Sequence, residues 1–362
     1  MIQLHEGENT PQNKSILLID ADSTIPNLAL MKISAYHKAK GDIVKLIQLK
    51  LPYYPNRQKE HYDADYSLFS YDLKYCSVIF PGNAIYIHGT DIIFGGTGYS
   101  LDKTLSEDMD KMDPDYSIYP DNKISYGFIS RGCIRNCKFC FVPRKEGMIR
   151  QVASPDDIIR HKTVKFMDNN FFALPNHKEI MKELIDLKVR CSFNQGLDIR
   201  LLDEENSSLL SQMNYSGQIT FAFDDWAYLD LIEAKMQLLK WRREWQIRMF
   251  VYVHPDMLIS ETTQRIEWCR MNKVLPYVMR DISCWESENK TFYTYITAYG
   301  NQPNMFKKLN FNQFMHKRTK RQDLITDYTE RYRSSLSNTK YEQDMCIEEQ
   351  GDDSKRPRFF DY

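Results

Sequence analysis

The chain has 362 residues, enough for two domains at roughly 100–200 residues each. Hydrophobic residues make up 42% and charged residues 27%, with 14 Gly and 14 Pro, which excludes collagen-like and wholly disordered classes. Forty-eight basic against 49 acidic residues leave a formal net charge of −1, so the chain as a whole is not a basic nucleic-acid binder, although a local basic patch is still allowed.

Residues 1–14 are polar and are expected to be a loose segment. Ile16-Leu17-Leu18-Ile19-Asp20 is a continuous apolar run of buried-strand length. A helix follows, with Pro26 in its first turn and Gly41 just past its end. Strands are expected at 43–47, 77–80 and 91–94, and the loop Gly95-Gly96-Thr97-Gly98 closes the unit. Short strands with helical or irregular connections predict a small doubly wound parallel sheet over 15–100. Residues 101–122 form an acidic connector, with six acids and two lysines between Asp102 and Asp115.

A second α/β series occupies 123–300. Its strands are expected at 124–130, 163–167, 189–193, 218–223, 247–253 and 274–279, with helices between most of them. Six strands alternating with helices predict a partial (β/α)6 barrel, smaller than the roughly 250 residues of a full eight-fold barrel. A basic extension, 301–333, and an acidic tail with few apolar residues, 334–362, complete the chain, and the tail is expected to be disordered. No apolar run reaches the roughly 18 residues that span a bilayer. The first residues lack a signal-peptide pattern, so a cytoplasmic protein with no membrane partner is expected.

Eight cysteines stand at 76, 133, 137, 140, 191, 269, 284 and 346. Three of them fall within eight residues, as C-x3-C-x2-C, at the end of the strand expected at 124–130. That is the strand edge where barrel enzymes place their sites. Thiolates on one short loop suit an iron–sulfur cluster or zinc. A closed structural site needs four protein ligands, and only three are local. A cubane cluster on three cysteines leaves one iron open; the alternative is a zinc knuckle with a distant fourth ligand.

The segment Gly132-Cys133-Ile134-Arg135-Asn136-Cys137-Lys138-Phe139-Cys140 resembles the signature of the radical S-adenosylmethionine superfamily, in which an aromatic residue precedes the last cysteine. The resemblance covers about 120–285. It implies a 4Fe–4S cluster on Cys133, Cys137 and Cys140, with one iron open to S-adenosylmethionine. It implies reductive cleavage of that cofactor to a 5′-deoxyadenosyl radical, with electrons from a flavodoxin- or ferredoxin-type donor.

By the same resemblance, Phe139, Asp168, Asn169, Asn170, Asn194, Gln195 and Arg200 are the candidate cofactor-binding residues. Asp168, Asn169 and Asn170 stand where relatives hold the methionine amino group, but the common Gly-Gly-Glu form is absent. A helix N-cap explains them equally well. Asn194 and Gln195 face the ribose in this reading. Arg200 suits the methionine carboxylate, or a plain salt bridge with Asp198 or Asp203. Asp224, His254 and Arg280 end later strands and are the catalytic candidates. Cys284 lies near the expected site mouth.

The front unit resembles the domain that precedes the barrel in cobalamin-dependent radical enzymes. The Asp-x-His-x-x-Gly motif that supplies a histidine to cobalt is not found; the segment reads Ala21-Asp22-Ser23-Thr24-Ile25-Pro26. Cobalamin bound without histidine stays open. Methylthiotransferases carry a second cysteine triad in this domain, and here it has only Cys76. The substrate class stays open between nucleic acid or nucleotide, peptide and small metabolite. Basic residues interleaved with Phe306, Phe311 and Phe314 in 305–321 offer a nucleic-acid surface, or the solvated face of an amphipathic helix. The alternative to an enzyme is a zinc- or cluster-stabilised binding module.

Overall fold

In the computed structural model, residues 13–51, 64–67, 69–337 and 339 are described. Most of the polar segment at 1–14, most of the acidic tail at 334–362, and Cys346 lie outside them. The chain is mixed α/β with parallel sheets and divides into two compact units, Met1–Met167 and Asp168–Tyr362. Among the described residues no helix is long and apolar enough to cross a membrane.

The first unit is built on β1 (Ser15–Asp20), β2 (Ile43–Gln48), β3 (Leu73–Ser77) and β4 (Ile92–Gly95). They form a parallel sheet in the order β2-β1-β3-β4. The apolar run of β1 has a simple cause: side chains alternate across a strand, and both faces of this one are covered. Leu17, Ile19 and Ala21 join Val78, Tyr66 and Ile87 on one side. Ile16 and Leu18 pack with Leu30 and Ile33 on the other. Burying each such side chain contributes roughly 1.5–3 kcal/mol.

Leu30 and Ile33 belong to α1 (Leu28–Ala39). Its cap is Asn27, whose side chain accepts from the Leu30 N–H at 3.1 Å, so Pro26 precedes the helix rather than opening it. Gly41 follows the helix with φ +86°, as its sequence position implied. The strand expected at 77–80 lies earlier, at 73–77. Leu73 to Ser77 pair with β1 and β4, whereas Val78 and Ile79 bond to the glycine loop after β4.

The acidic stretch folds onto α1. A short helix, α2 (Glu107–Asp110), places Asp110 2.8 Å from the Lys32 ammonium. Asp115 receives the Lys38 ammonium at 2.7 Å, the Ser34 hydroxyl at 2.6 Å and the Ser117 N–H at 3.0 Å. Burial pushes its carboxyl up, but these hydrogen bonds outweigh burial and hold it down at about 2. A carboxyl held below its unfolded value of about 3.9 stabilises the fold above that pH, and the gain is lost as pH falls to the folded value. Asp115→Asn is therefore expected to lower unfolding stability at pH 7 by on the order of 1 kcal/mol. In urea titrations the gap from wild type should close between about pH 4 and about pH 2. A gap that persists at the acid end would count against the ionic account. Two more parallel strands, β5 (Ile124–Gly127) and β6 (Thr163–Phe166), complete this unit.

The second unit opens with α3 (His177–Asp186), β7 (Arg190–Phe193) and α4 (Glu204–Gln212). A three-stranded parallel sheet follows: β8 (Ile219–Ala222), β9 (Ile247–Val253) and β10 (Leu275–Arg280). The helix α5 (Leu229–Met236) lies between β8 and β9 in the chain. Along β9 burial alternates strictly: Ile247, Met249, Val251 and Val253 are buried, and Arg248, Phe250 and Tyr252 are half-buried. The apolar face is covered by α6 (Ile259–Met271) and α7 (Lys290–Gly300), which pack on β9 and β10. β9 thus presents one apolar and one polar, aromatic face, and the candidates Asp224, His254 and Arg280 stand at the carboxyl edge of the sheet.

The basic extension folds into α8 (Phe311–Arg318) and α9 (Gln322–Ser335). Here the stacking role is corrected. Phe306, Phe311 and Phe314 are fully buried around Tyr299, at ring distances of 4.9, 5.5 and 5.4 Å, so none of them is available to a base. Lys307, Lys308, Lys317, Arg318, Lys320 and Arg321 remain outside as a solvated face. The helices are amphipathic because their aromatic stripe completes a core.

Candidate functional site

The cysteine loop belongs to the first unit. Directly after β5, Ser130–Arg131 pairs antiparallel with Arg150–Gln151 and closes the base of the excursion 132–149. Gly132 makes this closure work. Its φ is +89°, and a Cβ there would lie 2.3 Å from the Met148 carbonyl oxygen and 2.6 Å from that of Gly147. The Cys133 N–H then donates to the Gly147 carbonyl at 3.1 Å, and the Cys140 N–H to the Cys137 carbonyl at 3.0 Å.

The Arg135 N–H donates to Cys133 Sγ at 3.3 Å. A backbone donor on sulfur stabilises a thiolate and tunes the properties of a metal that the thiolate holds. Cys133, Cys137 and Cys140 are all half-buried and none is in a disulfide. Phe139 is 41% exposed. Arg131 lies over the Phe128 ring and reaches Asp110 and Glu146 at 3.5 and 3.8 Å, so its charge is shared with acids of its own unit. The donor set, three unbridged thiols on one anchored loop, fits a thiolate-held cluster. Among the described residues no three His, Cys, Asp or Glu side chains are gathered in metal-binding geometry.

The other candidates belong to the second unit. Asp168 and Asn170 are buried, and Asn169 is half-buried. Asn170 precedes the single turn Phe171–Ala173 without a side-chain cap hydrogen bond, which removes the N-cap explanation for that residue. Its amide donates to Asp198 at 3.3 Å. Asn194 and Gln195 are exposed on the turn after β7. Arg200 is held by Asp198 through two bonds, at 2.6 and 3.0 Å, and lies over the Tyr228 ring. The salt-bridge alternative for Arg200 is thus realised in this structure.

The carboxyl edge of β8, β9 and β10 gathers a second group. Register places Tyr252 beside Met279 and Val253 beside Arg280, so His254 follows beside Asp281. Tyr252 ties two acids together: its N–H donates to Asp224 at 3.1 Å and its hydroxyl to Asp281 at 2.7 Å. Burial pushes the Asp224 carboxyl up to about 6, against the Tyr252 N–H and the positive Arg265 and Arg200. Asp281 moves the other way. Burial raises it, but hydrogen bonds from Ser283 and Tyr252 outweigh that, and its carboxyl is held below the usual range. Two carboxyls pushed apart in this way are a recurrent arrangement for proton transfer.

His254 Nδ1 lies 3.1 Å from the Asp256 backbone nitrogen and 3.5 Å from the Asp256 carboxylate, and its Nε2 lies 3.9 Å from Asp281. Arg265 is fully buried and donates to the carbonyls of Phe223 and Asp224, just past β8, at 3.0 and 2.9 Å. Arg280 is engaged elsewhere: its guanidinium is 3.8 Å from the Trp285 ring centroid and bonds Thr294 of α7 at 3.0 Å. Cys284 is buried, donates to the Val253 carbonyl, and has its thiol pushed up to about 11 by burial, which suits a packing residue better than a reactive one. Sequence reading missed Tyr252 and Arg265. The alternation Arg248, Phe250, Tyr252, His254 along one strand was the available signal for the first.

No protein-family model and no curated protein sequence matches this chain. Solved structures do. The radical S-adenosylmethionine methyltransferase TsrM from Kitasatospora setae, with cobalamin and a [4Fe-4S] cluster bound, superposes with a TM-score of 0.50 at 12% identity, over 74% of this chain and 75% of that one. The chain shares the fold of that structure. A second TsrM structure, with tryptophan substrate and a S-adenosylmethionine analogue bound, gives the same TM-score and identity over 74% and 73% of the two chains. At 12% identity the likeness is one of backbone, and a shared fold is what it establishes here.

Proposed function

We propose that this chain is a radical S-adenosylmethionine enzyme. It holds a 4Fe–4S cluster through Cys133, Cys137 and Cys140 and uses the 5′-deoxyadenosyl radical from reductive cleavage of S-adenosylmethionine on an organic substrate. One observation carries this reading: the C-x3-C-x2-C loop directly follows a parallel strand, in a chain whose fold is that of a solved radical S-adenosylmethionine methyltransferase. The six-stranded partial barrel and the doubly wound front domain are part of the same proposal.

Bound, the cluster would supply the single electron for cleavage of the sulfonium. The chain's own residues have separate tasks. Gly132 and the Ser130–Arg131 pairing fix the loop's base, and the Arg135 N–H favours the thiolate at Cys133. Asp168, Asn169, Asn170, Asn194 and Gln195 offer the acceptors and amide donors that the methionine amino group and the ribose need. Arg200 is assigned to the methionine carboxylate, for which Asp198 now stands in. Asp224 is the residue best placed to carry a proton near neutral pH, with His254 beside Asp281 as its neighbour on the same edge.

Anaerobic reconstitution tests the reading. The expected result is about four irons per chain, for a single cubane cluster, and 5′-deoxyadenosine on addition of S-adenosylmethionine with dithionite or a reduced flavodoxin. Zinc without iron, or a full cluster that never yields 5′-deoxyadenosine, sinks it in favour of a non-catalytic module.

A further inference from the structure

In an open parallel sheet, ligands bind outside the carboxyl edge at the point where the strand order reverses. In the order β2-β1-β3-β4 that point lies between β1 and β3. Connections leaving those strands normally part there and leave a crevice. Here they are laced together. Asp22, two residues past β1, accepts the Ile79 N–H at 2.8 Å, the Phe80 N–H at 3.0 Å and the Asn83 side-chain amide at 2.9 Å. The Ala21 N–H donates to the Ser77 carbonyl at 3.1 Å, and the Asn27 amide to the Ser77 hydroxyl at 2.8 Å. Asp22 and Asn83 are 2% and 1% exposed, so this is a sealed seam and not a rim.

The glycine loop after β4 is used in the same way. Val78 donates to the Gly95 carbonyl at 2.9 Å and receives the Gly98 N–H at 3.0 Å. A Cβ on Gly96 would lie 2.2 Å from the Val78 carbonyl oxygen, and one on Gly98 would lie 2.5 Å from the Phe80 backbone. The glycines serve close approach of two backbones, which takes up the space a phosphate or corrin would need. On the β2 side of this seam lies a cavity of about 460 Å³, lined by Asp22 itself together with Ser23, Thr24, Lys50 and Tyr119. That is a small-ligand volume, within the roughly 300–1,000 Å³ of such sites.

We infer that the front unit's ligand crevice is closed by the chain's own residues, with Asp22 as its plug, and that this chain works without cobalamin. It then differs from the cobalamin-bound methyltransferase whose fold it shares, and its chemistry is hydrogen abstraction rather than methyl transfer through cobalt. The first half stands on the seam alone; the statement about the reaction rests on the radical reading above.

The test uses the reconstituted full chain, incubated anaerobically with hydroxocobalamin or methylcobalamin and then desalted. The expected result is no cobalamin absorbance retained with the protein, and 5′-deoxyadenosine formation unchanged by added cobalamin. Stoichiometric retention, or S-adenosylmethionine consumption that appears only with cobalamin, overturns the inference. Retention is read whether or not any 5′-deoxyadenosine forms, so failure of the radical reading is seen separately. Asp22→Ala supplies a second readout. As a plug, Asp22 leaves three donors without their acceptor when removed, and the melting temperature falls. An unchanged melting temperature in Asp22→Ala argues that the carboxylate is not structural and also counts against the plug.

Discussion

Alanine at any one of Cys133, Cys137 or Cys140 is expected to abolish the cluster and reduce 5′-deoxyadenosine formation to background. The three thiols stand on one loop closed at its base by a two-residue antiparallel pair, so each supplies a separate donor and none can substitute for another. Cys76, Cys191, Cys269 and Cys284 are buried, and burial pushes all four thiols up, which disfavours the thiolate a metal needs. Cys284→Ser is therefore expected to keep wild-type iron. Iron content and visible absorbance after reconstitution measure both arms. Full absorbance in all three loop variants refutes the ligand assignment; loss of iron in Cys284→Ser would bring that residue into the metal site.

Asp224→Asn is expected to stabilise the protein while impairing its reaction. The Asp224 carboxyl sits at about 6 when folded, above its unfolded value, because burial outweighs the Tyr252 N–H and the neighbouring arginines. For a carboxyl raised in this direction, the folded state holds the proton more tightly. Stability is then fully present below the unfolded value of about 3.9 and is lost as pH rises to the folded value. Asparagine keeps an acceptor for the Tyr252 N–H without the desolvated charge. At pH 8 the gain in unfolding free energy should be on the order of 2 kcal/mol, shrinking to nothing near pH 4.

The charged groups that act on Asp224 are Arg265, Arg200 and Asp198. Denaturant titrations across pH read the stability arm. Substrate-dependent turnover reads the other. A variant less stable at pH 8 than wild type would mean that Asp224 is an ionised partner of Arg265. Such an acid is not a proton carrier.

Much of the fold is legible in the sequence because it is written in local pattern. The run at 16–19 is apolar at every position, and the strand is covered on both faces. The strands at 43–48 and 247–253 stand where the sequence places them. The strand expected at 77–80 lies instead at 73–77, because Leu73-Lys74-Tyr75-Cys76 alternates while Val78-Ile79-Phe80 only looks like a strand core. The cysteine loop is legible for the same local reason, since its donors and its glycine are within a few residues of one another.

Partner choice is not local, and there the sequence alone runs out. Arg200 has Asp198 two residues away and Asp203 three away; backbone geometry at the turn after β7 selects Asp198. Phe306, Phe311 and Phe314 read equally as a stacking surface or a core stripe, until Tyr299 and Tyr332 from other helices close around them. By itself, then, the sequence determined the α/β class, most strands along the chain and the C-x3-C-x2-C thiol spacing, because periodicity and short spacing are properties of neighbouring residues. Only the tertiary structure decided that Asp22 accepts from the Ile79 and Phe80 N–H groups across the seam, and that Tyr252 joins Asp224 to Asp281. Those contacts span 57 and 29 residues of chain, and folding alone brings such distant groups within hydrogen-bond reach.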